Sequence, residues 1–149
     1  MARTVITLNR PVFKLADSEA GLTSGATYEC QLTSATITAN PQFQTIPATG
    51  CAPSSQSPGL TQWQLDMAWL QDWSAPGGGL SGYAYTHDTE QKWFSFQLSA
   101  DDPTVVATGQ VFVVAGGYGG TFGDGSAAAA SSTWPCVDKP DITLPATTP

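Results

Sequence analysis

The sequence predicts a mainly β domain with one short helix, and three observations carry that prediction. Between Thr61 and Trp73 the residues Trp63, Leu65, Met67 and Trp69 alternate with Gln62, Gln64, Asp66 and Ala68. Side chains two apart in an extended chain share a face, so this is the pattern of a half-buried strand. The runs 93–98 (WFSFQL) and 104–115 (TVVATGQVFVVA) are rich in the aromatic and β-branched residues that suit a pleated sheet. One stretch, Leu80 to His87, instead spaces Leu80, Tyr83, Ala84 and His87 as a helix does. A chain of 149 residues is one domain's worth and can bury roughly 68–70% of its unfolded surface, enough for one core.

Taken in order, residues 4–8 (TVITL) form a short β-like segment, followed by Pro11 and a small apolar pair, Val12 and Phe13. Proline cannot donate to a sheet ladder, so this region is expected at an edge or in an arm. Residues 27–39 (TYECQLTSATITA) alternate as a strand that ends at the Asn40-Pro41 turn signal, with Thr33, Ala35 and Ile37 on one face. From Gln44 to Pro58 the chain carries Pro47, Gly50, Pro53, Ser54, Ser55 and Pro58, which is loop composition. Loops of this length in small domains are usually functional or interfacial.

After the tryptophan-rich strand, residues 74–79 (SAPGGG) break the chain before the helix. Asp101-Asp102-Pro103 marks the turn between the next two strands. Gly116 to Gly125 is a glycine-rich loop. The alanines before Ser131 favour helix locally, but an isolated short helix is marginal, so residues 128–137 are expected as a strand ending near Cys136.

Charged residues make up 11% of the chain, far below the usual ~25%. The polar surface must be built from Thr, Ser, Gln and Asn, which suits an exterior covered by copies of itself, although many β domains are simply Thr- and Ser-rich. Five basic residues face twelve acidic ones, for a net charge of −7. Arg3, Arg10 and Lys14 lie in the first fourteen residues, leaving Lys92 and Lys139 for the remainder. Tight nucleic-acid binding needs clustered cations to replace phosphate counterions, and this chain has no such cluster. An acidic surface is compatible with DNA passing without being held, and equally with plain solubility.

Chemical motifs are absent. His87 is the single histidine, and residues 79–82 (GLSG) do not make a nucleophile elbow. The glycine-rich loop lacks the Lys-Ser/Thr ending of a P-loop and the Gly-x-Gly-x-x-Gly spacing. Cys30, Cys51 and Cys136 show no metal-ligand spacing and are expected reduced and half-buried. No enzyme activity, catalytic residue, metal or cofactor is expected. No apolar stretch has the length of a signal peptide or a membrane span.

The order of elements resembles that of the major tail proteins, or tail tube proteins, of long-tailed, non-contractile bacteriophages. The resemblance rests on the tryptophan-rich strand ending Gln71-Asp72-Trp73, the helix within residues 79–87 (GLSGYAYTH), and the strand Trp93-Phe-Ser-Phe96. It continues through residues 105–111 (VVATGQV), the loop Gly-Gly-Thr-Phe-Gly-Asp and a closing segment at residues 137–140 (VDKP). It covers roughly residues 60 to 142 and lies in the succession of elements, no single motif being diagnostic.

The resemblance implies a β-sandwich or partly rolled barrel with one flanking helix, assembled into hexameric rings that stack as a tube around a lumen. The implied partners are copies of the chain, a tape-measure protein and other tail proteins, with DNA passing through unbound and no membrane contact. The implied setting is a virion tail put together in the host cytoplasm. On that analogy Gln62, Gln64 and Asp66 are candidates for the lumen. Residues 1–14 as an arm, with Arg3, Arg10, Phe13 and Lys14, and the loop 44–58, with Gln44 and Ile46, are candidates for contacts between subunits. The competing expectations are a carbohydrate-binding or immunoglobulin-like β-sandwich, for which five Trp and four Tyr would supply stacking rings, and a capsid decoration protein.

Overall fold

A computed structural model describes residues 10–101, 104–123 and 125–144. The chain forms two antiparallel sheets, joined on one side by a bridge between Val111 and Cys136 and not closed into a barrel. The strands are β1 (Val12–Ala16), β2 (Ala26–Thr27), β3 (Leu32–Ile46), β4 (Ser55–Leu70), β5 (Gln91–Gln97), β6 (Val106–Phe112), β7 (Ala129–Pro135) and β8 (Asp141–Ile142). The helix α1 covers Gly79–Thr86, where helical spacing predicts it. The larger sheet has the order β2-β1-β5-β6-β8 and the smaller β3-β4-β7.

One core lies between the sheets. Phe13, Leu15, Phe94, Phe96, Val111 and Val113 come from the larger sheet and its continuation, and Leu65, Met67, Trp69, Ala130 and Trp134 from the smaller. Leu65, Met67 and Trp69 are buried as their alternation predicts, and Trp63 is half-buried with the Lys139 ammonium 5.8 Å from its ring centroid. Trp69 and Trp134 are each fully buried. Helix α1 closes one end of the core with Leu80 and Ala84. The Trp69 indole N–H donates to Ser81 Oγ at 2.7 Å, and the Leu80 N–H donates to Gln31 Oε1 at 2.6 Å, so the helix is tied to the smaller sheet and to the β2–β3 connection.

Several expectations are corrected. Val12–Ala16 is not an edge: β1 lies between β2 and β5, and Pro11 precedes the strand instead of interrupting it. The strand expected over residues 27–39 is split into β2 and β3, and β3 runs through the Asn40-Pro41 signal to Ile46. The loop expected over residues 44–58 is therefore mostly hairpin: Gln44 pairs with Ser57 and Ile46 with Ser55, leaving residues 47–54 as the connection. Proline is tolerated here because β7 ends at Pro135 opposite Gln64, so beyond that point the ribbon has two strands and the missing N–H of Pro41 breaks no inner ladder. A bulge between Leu32 and Ser34 leaves Thr33 exposed, off the face it was expected to share with Ala35 and Ile37. The 104–115 strand is shorter, Val106–Phe112, because Val113 turns away to exchange backbone hydrogen bonds with Thr89 and Glu90. The segment 4–8 and the Asp102-Pro103 turn lie outside the described residues.

Candidate functional site

Strand β4 is long enough to leave the body of the protein, and this creates two candidate surfaces. Its 16 residues span about 50 Å at the usual rise of a strand. Over Gln64–Leu70 it is the central strand of the smaller sheet, flanked by β3 and β7. Over residues 55–62 it pairs with β3 alone, and in this outer ribbon every residue of 40–62 except Ser57 is exposed.

The first surface is the outward face of the smaller sheet. Register places Ser34, Thr36 and Thr38 of β3 beside Ala68, Asp66 and Gln64 of β4, with Ser131 and Thr133 of β7 on the far side. Asp66 sits in the middle and accepts hydrogen bonds from Thr38 Oγ1 and Thr133 Oγ1, each at 2.8 Å, and from Gln64 Nε2 at 3.2 Å. These donors, Thr133 first and then Thr38, hold its carboxyl below the usual carboxylate range against the opposing effect of burial. The result is a shallow groove of about 470 Å³ that carries one satisfied carboxylate, many hydroxyls and, among the described residues, no cation. Gln62, Gln64 and Asp66 thus share one face, as the alternation predicts, with Gln62 already on the protruding ribbon.

The second surface is the ribbon itself. Phe43, Ile46 and Leu60 are 58%, 50% and 87% exposed, an unusual amount of apolar surface on a two-stranded element, which alone is marginal in water. A second bulge sets its course. Between Pro41↔Thr61 and Phe43↔Pro58 the chain of β4 carries one extra residue, and Gly59 lies there because a Cβ would stand 2.8 Å from Gln42 O. From Asn40 to Gln62 the sequence has no charged residue, in a chain of net charge −7.

The other expected contact residues disperse. Phe13 is fully buried in the chain's own core and cannot serve as a subunit contact. Lys14 lies in β1 and is half-buried, Arg10 is exposed with its guanidinium 3.7 Å from Asp101, and Arg3 lies outside the described residues. Gln44 and Ile46 are exposed on the ribbon. The cysteines are free, but Cys30 and Cys51 are exposed instead of half-buried. Only Cys136 is partly covered, and burial pushes its thiol pKa up to about 11.

Two arrangements escaped the sequence reading. Lys92 is 8% exposed, and its ammonium donates to Asp17 and, at 3.3 Å, to Glu90, which also meets His87 Nδ1 at 2.8 Å. The hydrogen bond from Lys92 lowers the Asp17 carboxyl, that of Glu90 is lowered by His87 and then Lys92, and the Asp17 hydrogen bond raises Lys92. The second arrangement is aromatic: Trp73 stands edge-on to Tyr118 at 5.2 Å and to Tyr85 at 6.4 Å. In the sequence these rings are scattered over 46 positions, and only the return of the glycine-rich loop beneath β4 brings them together.

Among the described residues no group of three or more His, Cys, Asp or Glu is placed to hold a metal ion, and no helix is long and apolar enough to cross a membrane. Comparison with protein-family models and with curated proteins gives no match for this chain.

Proposed function

We propose that this chain is a structural subunit that assembles with copies of itself into stacked rings, forming a tube of the phage-tail kind through which DNA passes. The observation that carries the reading is the ribbon of residues 40–62: uncharged, exposed on both sides and bearing Phe43, Ile46 and Leu60. Charge is depleted and aromatic residues are enriched at the centres of protein interfaces. The edges of the two sheets support the same reading. Two-residue strands, β2 and β8, border the larger sheet, whereas the smaller sheet ends in the long strands β3 and β7, which pair with no further strand among the described residues. Long unpaired edges are templates for another chain. In this reading the smaller sheets of neighbouring copies join edge to edge, and the face of Gln62, Gln64 and Asp66 lines the lumen, where it offers no cation to grip phosphate.

Negative-stain microscopy and sedimentation of the purified chain test the proposal. Rings or tubes are the expected result, and a monomer at all concentrations would refute it. A carbohydrate-binding module is the second reading, favoured by the exposed rings of Tyr85, Tyr118 and Phe122. It requires a stable monomer whose tryptophan fluorescence responds to soluble glycans.

A further inference from the structure

We propose that Trp73, Tyr118 and Phe122 form an aromatic socket that receives the protruding ribbon of a second copy of this chain. The inference rests on the self-assembly reading and names the surface that the ribbon meets. The socket is a concavity of about 330 Å³ between the end of β4 and the glycine-rich loop, and among the described residues its lining carries no charge. Tyr118 and Phe122 are 83% and 92% exposed, while Trp73 is half-buried at its base.

The Trp73 and Gly119 side of the concavity is held in place. Gln71 Nε2 donates to Gly119 O at 2.8 Å and Ala129 O at 2.9 Å. Gln71 Oε1 accepts from the Trp73 indole N–H at 2.9 Å and from the Gly119 N–H at 3.1 Å. One amide thus spans the loop, strand β7 and the tryptophan. Gly119 has φ +118°, a conformation that side chains disfavour, and this lets the loop turn its N–H and C=O toward Gln71. A surface fixed before its partner arrives loses less ordering entropy on binding.

Charge and position identify the occupant. Copies with net charge −7 repel one another, and they approach most easily through uncharged surfaces. The ribbon from Asn40 to Gln62 carries no charge and presents Pro41, Pro47, Pro53 and Pro58 with Phe43, Ile46 and Leu60. Exposed aromatic and aliphatic side chains on the two surfaces leave water together when ribbon meets socket. The ribbon leaves one end of β4 and the socket lies just past Leu70 at the other. Leu60, the ribbon's nearest exposed apolar residue along β4, stands ten residues of extended strand from Leu70, about 33 Å, too far for a chain to fill its own socket. The contact therefore joins two copies through different surfaces, and in the stacked-ring reading it runs head to tail and repeats from copy to copy along an axis.

Two variants of the full-length chain test the inference. The ribbon variant combines Phe43→Ser, Ile46→Ser and Leu60→Ser, and the socket variant combines Tyr118→Ser and Phe122→Ser; all five side chains are exposed, so folding is retained and near-ultraviolet circular dichroism verifies it. Each variant alone is expected to stop at the unstacked particle. An equimolar mixture retains one intact ribbon–socket pair, so its particles should reach about twice that size and grow no further, since each contact uses one of each surface.

Socket variants that stack like the wild type, or a mixture that stays at the size of its parts, overturn the socket. If the wild type forms tubes in that experiment, the assembly reading stands while the socket falls. Doubling in the mixture without wild-type tubes keeps the socket and rejects the tube. A wild-type chain that stays monomeric and whose Trp73 environment responds to soluble glycan but not to the socket variant, which keeps its ribbon, rejects both.

Discussion

Strands β3 and β4 run as partners from Ser34↔Ala68 to Ile46↔Ser55, yet the two halves of this ribbon meet different surroundings. The inner half is covered on one side by the larger sheet, so Leu65, Met67 and Trp69 are buried and Asp66 is left on the outside in a closed hydrogen-bond ladder. The outer half has the same backbone pairing and, among the described residues, nothing against either face, so Phe43, Ile46 and Leu60 are exposed. Backbone hydrogen bonds alone do not make a two-stranded ribbon stable in water. The difference teaches that the inner half holds this domain together, while the apolar residues of the outer half contribute little to its core and are free for the proposed contact with another copy.

Four substitutions can break or sharpen that contrast. Trp69→Ala should have the largest effect, because it empties a fully buried site and removes the hydrogen bond to Ser81. A loss of about 3–5 kcal/mol is expected in urea unfolding, and a loss near that of a surface change would mean that the inner half is not the stabilising one. Gly116→Ala comes next: a Cβ there would stand 2.5 Å from Trp69 Cζ2, and the indole must move. Overpacking of this kind costs about 1–3 kcal/mol, with a shift in the near-ultraviolet tryptophan signal as the accompanying readout.

Asp66→Asn should cost about 1 kcal/mol, since the amide keeps some of the ladder but loses the charged acceptor. Its pH dependence has a definite sign. Because hydroxyl donors lower the Asp66 pKa in the folded state, its contribution is complete above the unfolded carboxylate value of about 4 and fades as pH falls through the lower folded value. The stability gap between wild type and Asp66→Asn should be constant near neutrality and close in strong acid. A gap that widens in acid would contradict the ladder. The smallest effect on stability is expected from Phe43→Ser, within about 0.5 kcal/mol for an exposed site. If it matched Trp69→Ala, the ribbon would be part of the folded core and the contrast would disappear.

Much of the body was legible in advance. Alternation around Trp63–Trp69 predicted both the strand and its buried face, and the spacing of Leu80, Tyr83 and Ala84 placed the helix within a residue of where it forms. Local signals misled where local chemistry and tertiary context disagree. Asn40-Pro41 and the prolines of residues 47–58 read as turn and loop, but a strand with only one neighbour tolerates proline, and nothing local reports how many neighbours a strand has. Phe13 read as part of an arm because Pro11 precedes it, whereas β5 and β2 enclose it from both sides.

By itself, then, the sequence determined the β character, the inward face of β4, the α-helix at Gly79–Thr86 and the shortage of charge, all of which depend on residue type and on spacings of two or about four positions. Only the tertiary structure decided that the ribbon of residues 40–62 stands clear of the body, that Asp66 is bound by Thr38 and Thr133, and that Trp73 meets Tyr118. Those contacts join residues 28 to 67 positions apart. Their formation depends on the order in which strands pair, which periodicity does not encode.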